Sequence, residues 1–405
     1  MTVEQLSSYN VFLNAFESVL PRHCITQEAS LDWMSQAHSL RASALLQDQP
    51  ADRVPAYRRM AERFGCGADR ITRRYHEPID FQSDPHAESL IFGGLTQKMA
   101  FYGERISSVL DRLYPQDVSE EGISPVRPPR EIIHVTCTGY LSPSPVQKKV
   151  AELGWSSSTR VTHAYHMGCY ASLPAVRIAE GALRRDAARD NESGKGVIQQ
   201  TIGVDLVHTE VCSLHFAPGD PRPEQWVIQS LFADGHIRYR AHLADRNAPP
   251  RGRSMELLAL EERILPGTED QMTWTPGENG FVMTLGREVP REIARALPGF
   301  VSFLGSRSVL SESFDSSTIF AIHPGGPRII DASLDALRLS HDQVKHSRAV
   351  LKERGNMSSA TLPHVWKKIL EDLSIPSGTR VVSLAFGPGL TVFGAVFRIT
   401  EGVPE

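Results

Sequence analysis

The chain has 405 residues, 41% hydrophobic and 22% charged, with Lys+Arg 43 against Asp+Glu 47 for a formal net charge of −4. This composition suits a soluble globular protein of one large or two fused domains. It excludes a disordered chain, a membrane-spanning one and a nucleic-acid binder with a basic footprint. The N-terminal MTVEQLSSYNVFLNAFESVLP lacks the basic start and unbroken apolar run of a signal peptide. The five cysteines are scattered, which does not resemble a disulfide framework, so reduced thiols and a cytoplasmic location are expected.

Residues 1–115 read as a mostly helical lead-in, because LDWMSQAHSLRASALL, PAYRRMAERFG and HAESLIFGGLTQKMAFYGERISSVLDRLY carry apolar residues at three- and four-residue spacing. PQDVSEEGISPVRPPR then reads as a surface connection. From residue 131 the texture changes to β-rich runs alternating with helical ones: EIIHVTC, SPVQKKVAELGW, RVTHAYH, a helix after Cys169, then GVDLVHTEVC. Strands separated by helices of this length imply crossover connections and a largely parallel sheet covered on both faces. The second half supplies GFVMTLG, a helix through REVPREIARALPGF, TIFAIH, a helix from about Ser333, LPHVWKKILEDL, TRVVSLAFG and LTVFGAVFR. Two similar α/β halves are expected, 1–250 and 251–405.

Cys169, in YHMGCYASLPAVRIAEG, stands between a strand and a helix. Pro174 fits the first turn of a helix that begins close to Cys169, and Val176, Ala179 and Leu183 then share its buried face. Such a thiol is either a packing residue or a nucleophile whose thiolate is favoured by the helix N-terminus. Three further stretches place polar residues at element ends. AIHPGGPRIID leaves His323 at the C-terminal edge of a strand, where ligands of parallel sheets collect. ERGNMSSA sets Asn356 at a loop-to-helix junction, and LAFGPGLTVFG makes a glycine-rich turn. Taken singly, these are a structural histidine, a helix cap and a turn.

Taken together and in order, GCYASLPAVRIA, VCS, LFADG, IHPGGPRIIDA, GNMSSA and AFGPGLTV resemble the type III polyketide synthases, the chalcone-synthase-like branch of the thiolase fold. The resemblance runs from RITRRYH to the last strand. It implies an α/β, thiolase-like fold of two halves with mixed five-stranded sheets and layered helices, and a homodimer. It also implies a catalytic set of Cys169, His323 and Asn356. A free cysteine titrates near ~8.5, and an imidazolium at His323 together with the helix N-terminus is expected to lower that value. The acyl group of a thioester would sit on Cys169 while malonyl-CoA loses carbon dioxide. His323 and Asn356 would donate to the developing enolate oxygen, a role worth ~2.7–4 kcal/mol per donor. Iteration and ring closure would give an alkylpyrone or alkylresorcinol-type product. No cofactor is implied beyond the acyl-CoA and malonyl-CoA substrates, and no metal, nucleic acid or membrane.

The resemblance also assigns positions around the cavity. Phe232 in LFADG and Met283 in GFVMTL match its gate, and methionine in place of phenylalanine favours an alkyl starter, since it adapts to irregular apolar ligands. Cys137, Thr138, Ser358, Phe386, Gly387, Pro388 and Gly389 match wall positions. Arg70, Arg73 and Arg74 in DRITRRYH match the stretch that contacts coenzyme A phosphates. Ser142 replaces the methionine that relatives place before the proline in TCTGYLSPSP. In VHTEVCSLH, His208 and Cys212 would share one strand face and His215 the other, which argues against a metal site; Glu210 is read as a buried polar group. A second enzymatic reading joins two β-ketoacyl thioesters, with CoA or an acyl carrier protein as donor, to an α-pyrone. Papain-like hydrolysis also uses Cys, His and Asn, but its local cysteine signature is missing. A non-catalytic thioester-binding module would bind acyl-CoA without turnover.

Overall fold

The structure, a computed structural model, describes residues 8–46, 53–78, 93–116, 127–192, 203–308 and 314–402. Its first element overturns the helical reading of the N-terminus: β1 (Tyr9–Val19) is a strand, with Val11, Phe12 and Leu13 all buried. Apolar residues on both faces are what a central strand needs. The same run also satisfies helical spacing, so periodicity does not separate the two. After it come β2 (His23–Thr26), α1 (Gln27–Leu46), α2 (Val54–Phe64), β3 (Arg73–His76) and α3 (Leu95–Leu113). Most of the proline-rich connection, and residues 86–92 of the third helical run, lie outside the described residues.

Beyond residue 130 the expected alternation is present: β4 (Glu131–Thr136), α4 (Pro145–Glu152), β5 (Arg160–Tyr165), α5 (Ser172–Glu192) and β6 (Val204–Val211). Ser144 caps α4 by accepting from the Gln147 amide at 3.1 Å, while the Gln147 side chain accepts from the Ser144 amide at 2.9 Å. The chain continues through α6 (Pro223–Leu231), β7 (Asp234–Asp245), β8 (Gly252–Ile264), β9 (Met272–Gly277), β10 (Gly280–Leu285), α7 (Val289–Arg307) and β11 (Ile319–Ile322). It ends with α8 (Pro327–Leu337), α9 (Lys345–Arg354), α10 (Thr361–Glu371), β12 (Arg380–Gly387) and β13 (Thr391–Gly402). α8 starts at Pro327, earlier than the Ser333 expected, because the proline needs no amide partner in a first turn.

Nine strands form one mixed sheet in the order β11-β12-β13-β8-β1-β7-β6-β4-β5. β4 runs parallel to β5 and β6, and β11 to β12. The seam between the halves is thin: β1 and β8 share only the pairs Phe12–Glu256 and Leu13–Met255. Among the described residues, five strands lie on the N-terminal side of that seam and four on the other, with β9 and β10 set apart as a hairpin. One core packs α5 (Val176, Ala179, Leu183) and α10 (Leu362, Val365, Trp366) against strands of both halves. A second gathers α1, α6, α7 and the other face of β12 and β13.

This frame places chain ends where chemistry can collect. Cys137 follows β4, Cys169 lies four residues past β5, Cys212 follows β6, His323 follows β11, and Phe386 and Gly387 close β12. All are C-terminal ends of strands, the edge at which ligands of open α/β sheets bind.

Burial of uncharged histidines has a consequence for stability. His38 is held down to about 4, and His134, His208, His215, His323 and His364 to about 3, in each case chiefly because burial disfavours the charged ring. Below ~6.5 the unfolded chain takes up these protons and the folded one does not, so stability is lost as pH falls from there towards 4. Asp234 works the other way: burial raises it to about 7, so its contribution is present below the ordinary carboxylate range and fades as pH rises through 7. Six groups outweigh one. The melting temperature should fall by on the order of 10 °C between pH 7 and pH 5.5; a flat profile in calorimetry would contradict the neutral, buried rings.

Candidate active site

Cys169 sits in the turn between β5 and α5, at the junction of two connected spaces. The outer one is an open cleft of about 930 Å³ whose wall includes Cys169, Phe232, Met283, His323, Asn356 and Phe386. The inner one is a cavity of about 90 Å³ lined by Cys169 together with Cys137, Thr138, Ser358 and Pro388. Cys169, Phe232, Met272 and Met283 belong to both walls. The two expected gate residues therefore flank the passage from cleft to cavity.

The turn carrying Cys169 depends on its neighbour. Gly168 has φ +87°, and a Cβ there would lie 2.6 Å from Pro388 Cδ. A side chain would meet both an unfavourable left-handed backbone and the wall of the cavity. Gly168→Ala is accordingly expected to cost at least ~1–2 kcal/mol in folding stability and to displace Cys169; an unchanged melting curve and unchanged turnover would contradict it.

α5 starts at Ser172, three residues beyond the cysteine. The first amides are already engaged, Ala171 N with Gly168 O at 3.1 Å and Leu173 N with Tyr170 O at 3.1 Å. Ser358 Oγ lies 3.8 Å from Cys169 Sγ. Burial pushes the Cys169 thiol up to about 12, with Ser358 and Asn356 pulling against that rise and the Glu210 charge adding to it. This corrects the expectation that an imidazolium at His323 and the helix end together favour the thiolate: the ring is held neutral by burial and the stable form of Cys169 is the thiol.

His323 is fixed by its backbone, whose amide donates to Leu384 O at 2.7 Å, and whose carbonyl accepts from Gly325 N at 2.9 Å. The ring is buried, and neither ring nitrogen has a hydrogen-bond partner among the described residues. Burial lowers it to about 3. A buried polar ring without partners is costly, and this one lines the same cleft as Cys169.

Asn356 is oriented by its surroundings. Oδ1 accepts from Ser358 N at 2.9 Å and from Thr361 Oγ1 at 3.3 Å, while Nδ2 donates to Gly325 O at 3.3 Å. Its main chain is pinned to the strand-like stretch at Phe232, with Asn356 N donating to Leu231 O at 2.9 Å and Ala233 N donating to Asn356 O at 2.8 Å. Gly355, at φ +74°, lets the chain leave α9 and reach this position. The Asn356 side chain also hydrogen-bonds Cys169 and works against the rise of its thiol.

Beneath the cavity, Glu210 is buried and accepts from Cys137 N at 3.0 Å, from Thr138 Oγ1 at 2.9 Å and from Ser359 Oγ. Its carboxyl is pushed up by burial. It supports the Cys137–Thr138 floor. Cys137 Sγ accepts from Gly168 N at 3.0 Å, and burial raises its thiol well above the usual range. Gly387 faces the Tyr170 ring, and Gly389 is a turn residue at φ +95°; of the AFGPG stretch, only Phe386 and Pro388 reach a cavity wall. Cys212 and His215 form a 3-10 turn after β6, and His208 is bound to Ser359 and Tyr239.

The basic stretch needs correction. Arg74 is fully buried, with its guanidinium bound to Gln27 Oε1 and Gln229 O at 2.8 Å and to the Phe232 carbonyl at 2.5 Å, so it braces the gate from behind and has no access to a phosphate. Arg73 is exposed and lines neither space. Arg70 does stand on the cleft wall, paired with Asp69 and Asp331. Arg287 and Arg328, which the motif comparison passed over, also line the cleft; both are exposed, with no ion pair among the described residues. The signal for Arg328 was present in PGGPR, one residue into a helix at a strand's C-terminal edge. Met272 and Trp274 of β9 were missed as well, since nothing local marks a hairpin as a cavity wall.

Taken together, an α/β frame of layered helices and a cysteine, histidine and asparagine meeting at one cleft describe a condensing enzyme of thiolase-like architecture. Comparison with known proteins agrees. Residues 256–400 match the C-terminal domain of chalcone and stilbene synthases. The chain is 26% identical over 379 residues to 1,3,6,8-tetrahydroxynaphthalene synthase of Streptomyces coelicolor, covering 92% of this chain and 88% of that one. It is 24% identical to phloroglucinol synthase of Pseudomonas fluorescens, covering 93% and 96%. In structure it resembles the C-terminal type III polyketide synthase domain of a type I/III hybrid from Dictyostelium, with a TM-score of 0.77, 23% identity and coverage of 96% and 99%. Over most of its length the chain is thus similar to type III polyketide synthases.

Proposed function

We propose that the protein loads an acyl group from acyl-CoA onto Cys169 and extends it with malonyl-CoA by decarboxylative condensation, releasing an alkylpyrone or alkylresorcinol-type product. The observation that carries this reading is that His323, whose ring nitrogens have no hydrogen-bond partner among the described residues, lines one cleft with Cys169 and Asn356. In the loading step the Cys169 thiol gives its proton to the imidazole as sulfur attacks the thioester carbonyl. The imidazolium then protonates the departing CoA thiolate. In the extension step malonyl-CoA loses carbon dioxide, and the enolate oxygen is met by N–H donors from His323 and Asn356. The enolate carbon attacks the acyl carbonyl, and the Cys169 sulfur leaves. Neutral donors suit this step, because each stabilises negative charge without giving up its own proton first.

Arg70, Arg287 and Arg328 at the cleft wall fit the phosphates of a CoA thioester. Met283, half-buried at the passage, supports an alkyl rather than an aromatic starter. Malonyl-CoA labelled in its free carboxyl group tests the decarboxylative step. One labelled carbon dioxide per extension is expected. Product formation without label release would favour the joining of two preformed β-ketoacyl thioesters.

A further inference from the structure

Glu210 has no part in the reaction proposed above, yet a buried hydrogen-bond chain starts from it. Its partners Thr138 Oγ1, Ser359 Oγ and the Cys137 amide are all neutral donors, and its charge is felt at Cys169. Thr136 Oγ1 also donates to it at 3.4 Å and stands 3.2 Å from Thr138 Oγ1. From Thr136 the chain leads away from the cavity. The Tyr102 hydroxyl of α3 hydrogen-bonds Thr136 and lies 2.7 Å from Thr209 Oγ1 of β6. Thr209 Oγ1 is 2.8 Å from His134 Nε2 in β4, and His134 Nδ1 is 2.8 Å from the Tyr165 hydroxyl in β5. Tyr102, His134, Thr136 and Thr209 are buried, whereas Tyr165 is half-buried. Beyond it, Ser144 hydrogen-bonds the Tyr165 hydroxyl and lies 2.9 Å from Nε2 of exposed His163.

Buried polar groups need partners whatever they do, so the chain has a purely structural reading. A second branch from Glu210 fits that reading: Ser359 Oγ is 3.1 Å from His208 Nδ1, His208 Nε2 is 3.3 Å from the Tyr239 hydroxyl, and there the branch ends in the core. The His134 branch runs instead from the cavity floor to the surface. Each of its members both accepts and donates a proton: hydroxyls rotate between the two roles, and a neutral imidazole accepts at one nitrogen while it donates from the other. Burial keeps the His134 ring neutral. With its proton on Nε2, Tyr165 donates to His134, His134 to Thr209, Thr209 to Tyr102, Tyr102 to Thr136 and Thr136 to Glu210. All the donors then point inward.

Extension consumes a proton. The acyl group on Cys169, the malonyl-CoA carboxylate and one proton give the extended acyl-CoA, carbon dioxide and the Cys169 thiol. The bond from the acyl carbon to sulfur breaks, the electron pair stays on sulfur, and the site favours sulfur protonated. We propose that the His134 chain is a proton relay, which carries that proton from the surface at Tyr165 through His134, Thr209, Tyr102 and Thr136 to Glu210. From Glu210 it passes to the departing Cys169 sulfur across the wall that Thr138 and Ser358 share with Cys169. The proposal rests on the condensing function proposed above and gives Glu210 and His134 a place in its extension step. Loading needs no proton from outside, since the one leaving Cys169 ends on the CoA thiol.

The test separates the two steps by rapid quench: labelled octanoyl-CoA loads the enzyme, and malonyl-CoA added afterwards discharges the label from Cys169. His134→Gln, Tyr165→Phe and Thr209→Val each interrupt the relay. Glutamine at 134 keeps an amide that donates and accepts, but it does not hand a proton from one end to the other. Each variant should load at the wild-type rate and discharge at least about tenfold more slowly, as when a proton donor is lost. The double variant of His134→Gln with Tyr165→Phe should be no slower than either single one, because a linear chain is broken only once. Tyr239→Phe, on the closed branch, should keep both wild-type rates. Wild-type discharge in any one of the three variants, or loading slowed by the same factor as discharge, would overturn the relay while leaving the condensing function intact. A wild-type protein that forms no acyl-enzyme, or one that malonyl-CoA does not discharge, would overturn the function and the relay with it.

Discussion

Cys169→Ala is expected to abolish product formation, with a fall of at least about four orders of magnitude in turnover, as when a nucleophile is removed from a unit that acts together. The other thiols on the cleft and cavity walls are poorly suited to take its place. Cys137, the nearest candidate by sequence, has its sulfur engaged by the Gly168 amide and its thiol raised well above the usual range by burial. Cys212 is likewise buried, with a raised thiol, and Cys66 is pushed up to about 11 by burial. The variant should fold normally, since Cys169 is only partly buried and its hydrogen bond to Ser358 Oγ is long, at 3.8 Å. Turnover measured by product mass, with a wild-type melting curve as the control, decides it; residual activity within a hundredfold of wild type would rule out Cys169 as the acyl carrier.

The second large effect is expected at His323. In the proposed mechanism its ring accepts the proton in loading and is one of two donors to the enolate, so replacement touches both half-reactions. His323→Gln keeps an N–H donor of similar reach but removes the base. Removal of the base should cost ~10²–10⁴ in kcat. Alkylation of Cys169 by iodoacetamide at pH 7 should also slow by at least about tenfold, because the remaining surroundings hold the proton on sulfur. The sign follows from the site itself: burial and the Glu210 charge both raise the thiol. Equal alkylation rates in variant and wild type would show that His323 does not take that proton. The buried imidazole makes no hydrogen bond among the described residues, so its replacement should leave the melting temperature close to wild type.

Much of the site was readable before the fold was known, and for a physical reason. Cys169, His323 and Phe386 all lie at C-terminal strand ends, and strand ends announce themselves locally through Gly and Pro turns such as PGGP and GPG. Asn356 follows a helix-ending glycine, which is also a local signal. What stayed hidden depends on distant partners. β1 carries apolar residues on both faces because β7 and β8 flank it, and those strands are more than two hundred residues away. Arg74 looked like its neighbours Arg70 and Arg73, but the alternation of β3 turns it inward, onto Gln27, Ser30 and the carbonyl of Phe232. The cysteine's address suggested an easy thiolate. Two amides of that turn are bound within it, and the base of the proposed mechanism is instead a ring 154 positions later in the chain.

The central claim, that Cys169 carries the growing acyl group with His323 and Asn356 at its side, is tested most directly by trapping the acyl-enzyme. Wild-type protein is mixed with a labelled acyl-CoA in the absence of malonyl-CoA, quenched in acid, digested and mapped by mass spectrometry. The label should appear on the peptide containing Cys169, and addition of malonyl-CoA before the quench should remove it. Label on the peptide of Cys137 or Cys66, or label on Cys169 that malonyl-CoA does not discharge, would contradict the account.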